Sequence, residues 1–341
     1  MARKTRIAVP AFASDWARKL EVNPASITRL TGGINSEVYS CGEGQRRFVI
    51  KRYLQTSSTH NRMRAELEFL RFAEKVAPQY VPSVIAADES HQCLVMTFLY
   101  GESFPTGSSP THQDVQVAID FFKRLVSHKE TARSLVSQNA AEGFLKLSEH
   151  LKAIEARIES MKVAHLPKAC QSIGRELLNQ LKEVFQRLSA SMSATLHADA
   201  SVDQINPALQ IVSPSDFGFH NAIRTLNGVC FIDFEFAGWD DPTKAVVDFV
   251  LQPRVPVLTW PSPLLDAFEA EERSLLTKRS NLMYPVLTLK WACIIGSVLG
   301  EDRLLKLTET LILGNGLEDL LRSRINHAMT YLLKDSACGL H

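Results

Sequence analysis

Three polar residues near the middle of the chain have the types and spacing that phosphoryl transfer requires. Asp216 lies in the run SPSDFGFHN, Asn221 follows five residues later, and Asp233 follows twelve residues after that. One carboxylate can accept or orient the proton of an attacking hydroxyl, while a second carboxylate and an amide oxygen hold Mg²⁺ against phosphates. Hard oxygen ligands of this kind suit Mg²⁺ and not zinc. The three residues therefore indicate metal-assisted phosphoryl transfer.

The segment between Asn221 and Asp233 predicts a β-hairpin that would bring its two ends together. The run AIRTLNGVCFI reads as two strands joined by a turn at Asn227 and Gly228. The loop before the first strand and the residue after the second would then converge. An Asp and an Asn five residues apart are common in polar loops. The spacing indicates a catalytic site only because the DFE run that starts at Asp233 follows the hairpin.

The first hundred residues contain a second candidate group, suited to a nucleotide. Lys51 follows an apolar triplet in FVIKRY, so we expect a buried stem and an ammonium that reaches phosphates. The earlier turn TGGINSEVY contains Gly32, Gly33 and Asn35. A turn without bulky side chains lets backbone N–H groups approach phosphate oxygens, although most glycine pairs simply reverse a chain.

An amphipathic helix is predicted over residues 60–76, with apolar residues at helical spacing. It offers Glu66 or Glu68 as a partner for Lys51. Glu66 is favoured because it lies one helical turn before Leu70, but either glutamate could be an ordinary solvated residue.

The surrounding pattern predicts an α+β protein with a small antiparallel β lobe that carries one helix, and a large, mainly helical lobe. Residues 26–53 and 82–101 read as strands, and residues 101–112 are a linker rich in Gly, Ser and Pro. Helical patterns then cover 112–130, 140–162, 173–193 and most of the remainder, with a β-rich island at 208–236. We therefore predict an N-terminal nucleotide-binding lobe over 1–100 and a C-terminal catalytic and substrate lobe over 101–341.

Composition excludes several classes of function. Hydrophobic residues make up 45% of the chain, charged residues 22%, and the net charge is +1, so no bulk attraction to nucleic acid or membranes is expected. The six cysteines form no CxxC pair, as is usual in a reducing compartment. The N-terminus lacks the long apolar run of a signal peptide, and the apolar stretch 286–300 predicts a buried helix. A cytoplasmic protein is expected, and nothing indicates its oligomeric state.

As an ordered set, these motifs resemble the aminoglycoside phosphotransferase and choline kinase family, the small-molecule branch of the protein-kinase-like fold. The resemblance covers nearly the whole chain, through TGGINSEVY, FVIK, RAELEFL, VPSVI, SPSDFGFHN and FIDFEFAGWDDP. It implies a bilobal kinase that transfers phosphate from ATP, with Mg²⁺, to a hydroxyl group of a small molecule.

The resemblance also implies a role for each matching residue. Asp216 would be the catalytic base, and Asn221 and Asp233 the Mg²⁺ ligands. Lys51 would contact the nucleotide phosphates, steadied by Glu66. The strand end MTFLYG (96–101), with Met96 and Phe98, would be the hinge along the adenine.

The chain departs from the family pattern at two places. Pro214 stands where the family usually has a His before the catalytic Asp, and Ala245 stands where another Asp is common. Asp248 follows three residues later and could hold the catalytic loop or be a plain helix residue. His220, next to Asn221, is expected to point away from the site or to pack structurally.

Two alternatives come from other classes of function. A nucleotide-binding pseudokinase with a regulatory role is suggested by Pro214, and a helical binding domain without a nucleotide site is the third hypothesis. The acceptor is not encoded in any motif. Residues 1–100 carry 14 Lys/Arg and 9 Asp/Glu, whereas the rest carries 24 and 28. This acidic balance slightly favours a cationic acceptor, such as an amino sugar or amino alcohol, over a neutral sugar.

Overall fold

The computed structural model describes most of the chain. The described residues are 9–30, 35–54, 60–257, 262–310 and 316–334. They form two compact units, each built from two chain segments. Unit 1 comprises Met1–Ala141 and Ile211–Trp239, and unit 2 comprises Glu142–Gln210 and Asp240–His341. The predicted linker at 101–112 falls inside unit 1, and the division into lobes at residue 100 stays a prediction.

Unit 1 contains a five-stranded antiparallel sheet in the order β1-β2-β3-β5-β4. Its strands are β1 (Thr28–Arg29), β2 (Ser36–Cys41), β3 (Phe48–Tyr53), β4 (Val84–Asp88) and β5 (Cys93–Thr97). Helix α1 (Ala11–Lys19) places the small side chains of Ala13 and Ala17 in one core with Ile50 and Val95 of the sheet. The predicted strands of the first hundred residues are confirmed.

Helix α2 (Arg62–Val76) is the predicted amphipathic helix. It begins after Asn61, whose side chain accepts a hydrogen bond from a first-turn backbone N–H. Its buried face carries Met63 and Leu67 at helical spacing, and Glu66 lies on that face with 2% of its surface exposed. The helix therefore directs one glutamate inward among apolar side chains.

The remaining elements of unit 1 surround the predicted catalytic loop. They are β6 (Glu102–Ser103), α3 (His112–Ser127), α4 (Lys129–Ala132), β7 (Ile211–Ser213), β8 (Ala222–Thr225), β9 (Gly228–Phe231) and β10 (Gly238–Asp240), whose last residue begins unit 2. Strands β6, β8 and β9 form an antiparallel sheet, and β7 pairs with β10.

The hairpin β8–β9 is present, but its turn was predicted one residue too late. Thr225 pairs with Gly228, so the two turn residues are Leu226 and Asn227. The hydroxyl of Thr225 accepts from the Asn227 N–H at 3.2 Å and donates to the Gly228 carbonyl at 2.9 Å. These bonds close the turn before the glycine, which adopts its positive φ of 122° as the first residue of β9.

Unit 2 is mainly helical in its described residues. Its helices are α5 (Leu147–Ser160), α6 (Lys168–Ala198), α7 (Pro242–Leu251), α8 (Ala270–Ile295), α9 (Glu301–Thr310) and α10 (Leu317–Lys334). The helix predicted over 140–162 begins only at Leu147, because Glu142 has a φ of 54° and Lys146, directly before the helix, is extended, and an α-helix accommodates neither conformation. Helix α8 packs against α5, α6, α7 and α10.

The segment Ala270–Leu299, which includes α8, is long and apolar enough to cross a membrane by length and composition. However, 67% of its most apolar window is buried within the protein. Met283, Val286 and Leu287 lie fully buried in the core of unit 2, which explains the apolar character. The prediction of a buried helix over 286–300 agrees with this packing.

Unit 2 also contains a group of buried ionised residues, here named the Arg279 cluster. Its members have between 0 and 6% of their surface exposed: Asp240, Asp241, Lys244, Asp248, Arg279 and Lys290. Nε and Nη2 of Arg279 both donate to Oδ2 of Asp241, at 3.0 and 2.7 Å. Lys290 Nζ lies 2.7 Å from both carboxylate oxygens of Asp248. Asp248 is therefore a buried ion-pair member and not a plain helix residue.

Candidate active site

A group of charged side chains surrounds Lys51, which lies on the central part of β3. Its ammonium lies 2.6 Å from Oε2 of Glu66 and 2.5 Å from Oδ1 of Asp233. The Glu235 carboxylate is 3.9 Å away. These four residues are here named the Lys51 cluster. The strand, the helix α2 and the segment after β9 each contribute to it.

Three carboxylates and one ammonium make the Lys51 cluster acidic among the described residues. Burial alone would lower the pKa of Lys51, but Asp233, Glu66 and Glu235 outweigh it and raise that pKa, so the lysine stays protonated. Burial, followed by repulsion from Asp233, raises the pKa of Glu235 to about 7, although Lys51 and Asn35 oppose the rise. The cluster thus carries more negative charge than its one cation can neutralise.

The structure distinguishes between the two glutamates of α2. Glu66 contacts Lys51 and also accepts from the Tyr53 hydroxyl at 2.5 Å. Glu68 instead bonds Arg64 at 2.8 Å and the backbone N–H of Ser137 at 2.7 Å. Tyr53 was not among the predicted site residues. Its position two residues after Lys51, on the same face of a strand, is a signal that could have identified it.

Glu235 is a further site residue that the sequence reasoning did not identify. Its Oε1 accepts from the Asn35 side chain at 2.7 Å, and its backbone carbonyl lies 2.9 Å from Nε2 of His60. Its Oε2 is buried without a hydrogen-bond partner. Asn35 therefore bonds to the DFE segment, whereas Gly32 and Gly33 lie outside the described residues.

The loop before Asp216 has an uncommon backbone. Ser215 has a φ of 65°, and the Asp216 N–H donates to the Pro214 carbonyl two residues earlier at 3.0 Å. The Ser215 N–H is bonded to the Ser213 hydroxyl at 2.9 Å. A three-residue turn with a positive central φ is strained, and it persists where its surroundings determine it. The opening SPS therefore shapes the backbone on which Asp216 is carried.

Each carboxylate oxygen of Asp216 lies within hydrogen-bond distance of a side-chain nitrogen of the same loop. Nε2 of His220 lies 3.1 Å from Oδ1, and Nδ2 of Asn221 lies 3.2 Å from Oδ2 and 3.1 Å from the Asp216 carbonyl. His220 therefore points towards Asp216 and not away from it, while its buried ring agrees with the other half of the expectation, structural packing. A residue four positions after Asp216 can return to it because residues 219–221 form a 3₁₀ turn.

The hairpin links this loop to the Lys51 cluster. The Ile232 N–H donates to the Asn221 carbonyl at 2.9 Å, directly beyond the paired residues Ala222 and Phe231. Asp233 follows at once and has a φ of 67°. The backbones that carry Asn221 and Asp233 thus adjoin, as the hairpin prediction required.

Met96 and Phe98 occupy the end of β5 and the segment after it. Met96 is buried and pairs with Val49 of the neighbouring strand. Phe98 is half-buried, and the guanidinium of Arg47 lies 3.9 Å from its ring centroid. These positions give the predicted hinge an apolar lining on unit 1.

No group of three or more His, Cys, Asp and Glu side chains suitable for a metal is present in the described part of the chain. A magnesium ion needs fewer protein ligands, because it retains waters and binds phosphates. The Asp233 side chain is 40% exposed, and Nδ2 of Asn221 is directed at Asp216, which leaves the amide oxygen as the atom for a cation. These hard oxygen donors, in an acidic surrounding, fit Mg²⁺.

Comparisons with known proteins identify the family. The model of the phosphotransferase enzyme family matches residues 26–274. No curated protein sequence matches this chain significantly. Solved structures with similar folds include a spectinomycin phosphotransferase, at 11% identity and a TM-score of 0.57, which covers 95% of this chain and 99% of that one.

Two further structures show the same protein-kinase-like fold. One is an aminoglycoside 2″-phosphotransferase solved with streptomycin and ATP, at 16% identity and a TM-score of 0.55, covering 92% and 99% of the two chains. The other is choline kinase from Cryptosporidium parvum, at 13% identity and a TM-score of 0.53, covering 95% and 96%. The predicted α+β kinase-like fold is confirmed. The family model spans most of the chain, which therefore belongs to the phosphotransferase enzyme family and acts as a phosphotransferase on hydroxyl groups of small molecules.

Proposed function

We propose that this protein transfers the γ-phosphoryl group of ATP, with Mg²⁺, to a hydroxyl group of an amino sugar, an amino alcohol or a sugar, in the cytoplasm. The observation that carries the proposal is the position of Lys51, whose buried ammonium bridges the buried Glu66 and the partly exposed Asp233. A lysine that stays protonated can bind a phosphate, and the exposed carboxylate beside it can bind a metal ion.

The nucleotide half of the site is proposed to lie on unit 1. Lys51 would bind the phosphates, held in place by Glu66, and Met96 and Phe98 would line the adenine. Gly32, Gly33 and Asn35 would form the turn that covers the phosphates, as the sequence predicts. Use of ATP is further supported by the similar aminoglycoside phosphotransferase, which was solved with that nucleotide.

Asp233 and the amide oxygen of Asn221 would hold Mg²⁺. Bound there, the ion would neutralise charge that develops on the transferred group. The acidic Lys51 cluster favours a divalent cation electrostatically, since it has three carboxylates for one ammonium. Lys51 would hold the Asp233 carboxylate, and Asp216 would hold the Asn221 amide, in fixed orientations.

Asp216 would accept or orient the proton of the acceptor hydroxyl. Its side chain is 30% exposed, so an acceptor can reach it. The acceptor classes follow from the names of similar structures, which include choline kinase and spectinomycin phosphotransferase. The acidic balance after residue 100 favours the cationic members of this set.

The direct test is a transfer assay with labelled ATP and Mg²⁺ against a panel of amino sugars, choline-like alcohols and sugars. Asp216→Ala should lower the transfer rate by about 10²- to 10⁴-fold, because it removes a general base. Asp120→Asn, on the exposed side of α3, is the matched control and should transfer normally.

Unchanged transfer by Asp216→Ala would refute the assignment of the base. Binding of ATP and Mg²⁺ without transfer to any acceptor would instead support a regulatory pseudokinase. If ATP with Mg²⁺ caused no rise in melting temperature, the nucleotide site itself would be refuted, since about 2–3 kcal/mol of stabilisation is expected near a hundredfold excess over Kd.

A further inference from the structure

The contact between His220 and Asp216 has the geometry of a supporting hydrogen bond. The His220 side chain is only 7% exposed, and its Nε2 lies 3.1 Å from Oδ1 of Asp216. The other ring nitrogen, Nδ1, is buried without a hydrogen-bond partner. The ring is therefore enclosed by protein and directs one nitrogen at the carboxylate.

The unpartnered nitrogen determines which tautomer this site favours. With the proton on Nδ1, an N–H would be buried unpaired and the Nε2 lone pair would face a carboxylate oxygen, which costs free energy twice. With the proton on Nε2, the ring donates to Asp216 and only a lone pair remains unused. The geometry thus selects His220 as a hydrogen-bond donor to Oδ1.

The donation from His220 complements that from Asn221. Asn221 donates to Oδ2 of the same carboxylate at 3.2 Å, so the two neighbours hold its two oxygens. Asp216 is carried on the strained turn at Ser215 and is partly exposed. A carboxylate on such a turn can rotate unless side-chain contacts fix its plane.

We propose that His220 is a positioning residue, which fixes the Asp216 carboxylate for the acceptor hydroxyl by donating from Nε2. The inference rests on the proposed function of Asp216 as the base. His220 need not touch substrate, because its effect passes through Asp216. Loss of the bond should leave nucleotide binding intact, since Lys51, Glu66 and Asp233 do not depend on it.

Two amide substitutions separate this role from simple packing. In His220→Gln the amide nitrogen reaches about as far as Nε2, whereas in His220→Asn it reaches only about as far as Nδ1. Both variants remove the imidazole and keep polarity similar. His91→Gln is the matched control, because His91 forms an Asp–His pair with Asp88 at 2.9 Å that is exposed on unit 1.

The experiment measures kcat and the KM for ATP with the full-length protein, labelled ATP, Mg²⁺ and each acceptor of the panel that the unchanged protein phosphorylates. We expect His220→Asn to lower kcat by about 10- to 100-fold with an unchanged KM for ATP, as misplacement of a catalytic group does. His220→Gln should recover most of the lost kcat, and His91→Gln should behave as the unchanged protein.

Equal kcat for His220→Asn and the unchanged protein would refute the inference and leave the proposed function intact. Equal losses in both amide variants, with melting temperatures unchanged, would also refute it, because reach would then be irrelevant. If either variant has a lowered melting temperature, ATP-dependent stabilisation is measured at a temperature at which that variant is still folded. A raised KM for ATP would then show that His220 has a structural role, and would refute the inference. No transfer by the unchanged protein to any acceptor would refute the proposed function and the inference with it.

Discussion

The two buried charge clusters differ in their balance. The Arg279 cluster has three acidic and three basic members, all of them at most 6% exposed. The Lys51 cluster has three carboxylates for a single ammonium among the described residues, and its Asp233 side chain is 40% exposed. One cluster is neutral and closed, whereas the other is acidic and partly open.

The difference separates structure from chemistry. Buried ions are costly unless each is paired and hydrogen-bonded, so a balanced cluster is self-sufficient. An unbalanced cluster retains a requirement for positive charge, which a bound divalent cation can meet. Oε2 of Glu235, which is buried without a hydrogen-bond partner, lies in the unbalanced cluster. Buried charges mark a binding site here only where their sum is not neutral.

Breaking the balance of the Arg279 cluster should have the largest effect. Arg279→Met leaves Asp241, which is fully buried, without its ion-pair partner. We expect the free energy of unfolding to fall by about 3–5 kcal/mol, the range for an uncompensated buried charge. Urea denaturation measures this.

The control for this prediction lies on the same helix. Arg273 forms an ion pair with Asp266 in which both side chains are more than 40% exposed. Arg273→Met should change stability by less than about 0.5 kcal/mol. Equal losses in the two variants would show that burial and pairing of Arg279 are not what matters.

Changing the Lys51 cluster should affect activity and leave stability unharmed. Asp233→Asn keeps the shape and tolerates the positive φ, but removes the charge that would bind Mg²⁺. We expect kcat to fall by about 10²- to 10³-fold, as when one transition-state contact is removed. The melting temperature should stay level or rise, because one of three crowded carboxylates is neutralised. A large loss of stability in Asp233→Asn would contradict the difference drawn between the Lys51 cluster and the Arg279 cluster.

The smallest effect concerns His150, which lies near the Arg279 cluster. Burial, and then the charges of Lys244, Lys290 and Arg279, hold the pKa of His150 well below its usual value of 6.5. The unfolded chain therefore takes up a proton below pH 6.5 that the folded chain does not. The stability that the neutral, buried His150 contributes is present above pH 6.5, and the free energy of unfolding falls by about 1 kcal/mol between pH 6.5 and 5.5.

The His150 prediction is tested by urea denaturation at these two pH values. His150→Phe should remove about 1 kcal/mol of the pH dependence, while His197→Phe, at an exposed position of α6, should retain it. An unchanged slope in His150→Phe would show that an added proton does not disturb the cluster.

The sequence predicted local elements better than it predicted contacts. The hairpin, α2 and the strand of Lys51 follow from periodicity and turn residues, which act over a few positions. The choice of Glu66 over Glu68 also follows, because only Glu66 shares the apolar face of α2. The late start of α5 at Leu147 does not follow, since neither the positive φ of Glu142 nor the extended backbone of Lys146 has a compositional signal.

Contacts between segments that are distant along the chain are what the sequence mainly failed to predict. Asn35 and Glu235 are 200 positions apart, and their bond depends on how two segments pack. The Arg279 cluster likewise joins residues that look like ordinary surface charges in sequence. His220 was assigned a direction by general expectation, whereas its ring follows the 3₁₀ turn of this particular loop.

The positive φ of Asp233 also limits which sequences can occupy that position. Gly, Asn and Asp tolerate a φ of 67° most readily, whereas β-branched side chains are strained there. Only one of these three residues carries a charge at neutral pH. Among sequences that keep this backbone, a single substitution of Asp233 by Asn or Gly would therefore give a protein that is well folded but inactive. Inactive descendants of this enzyme would be expected to retain the fold, and position 233 is where their divergence would first be visible.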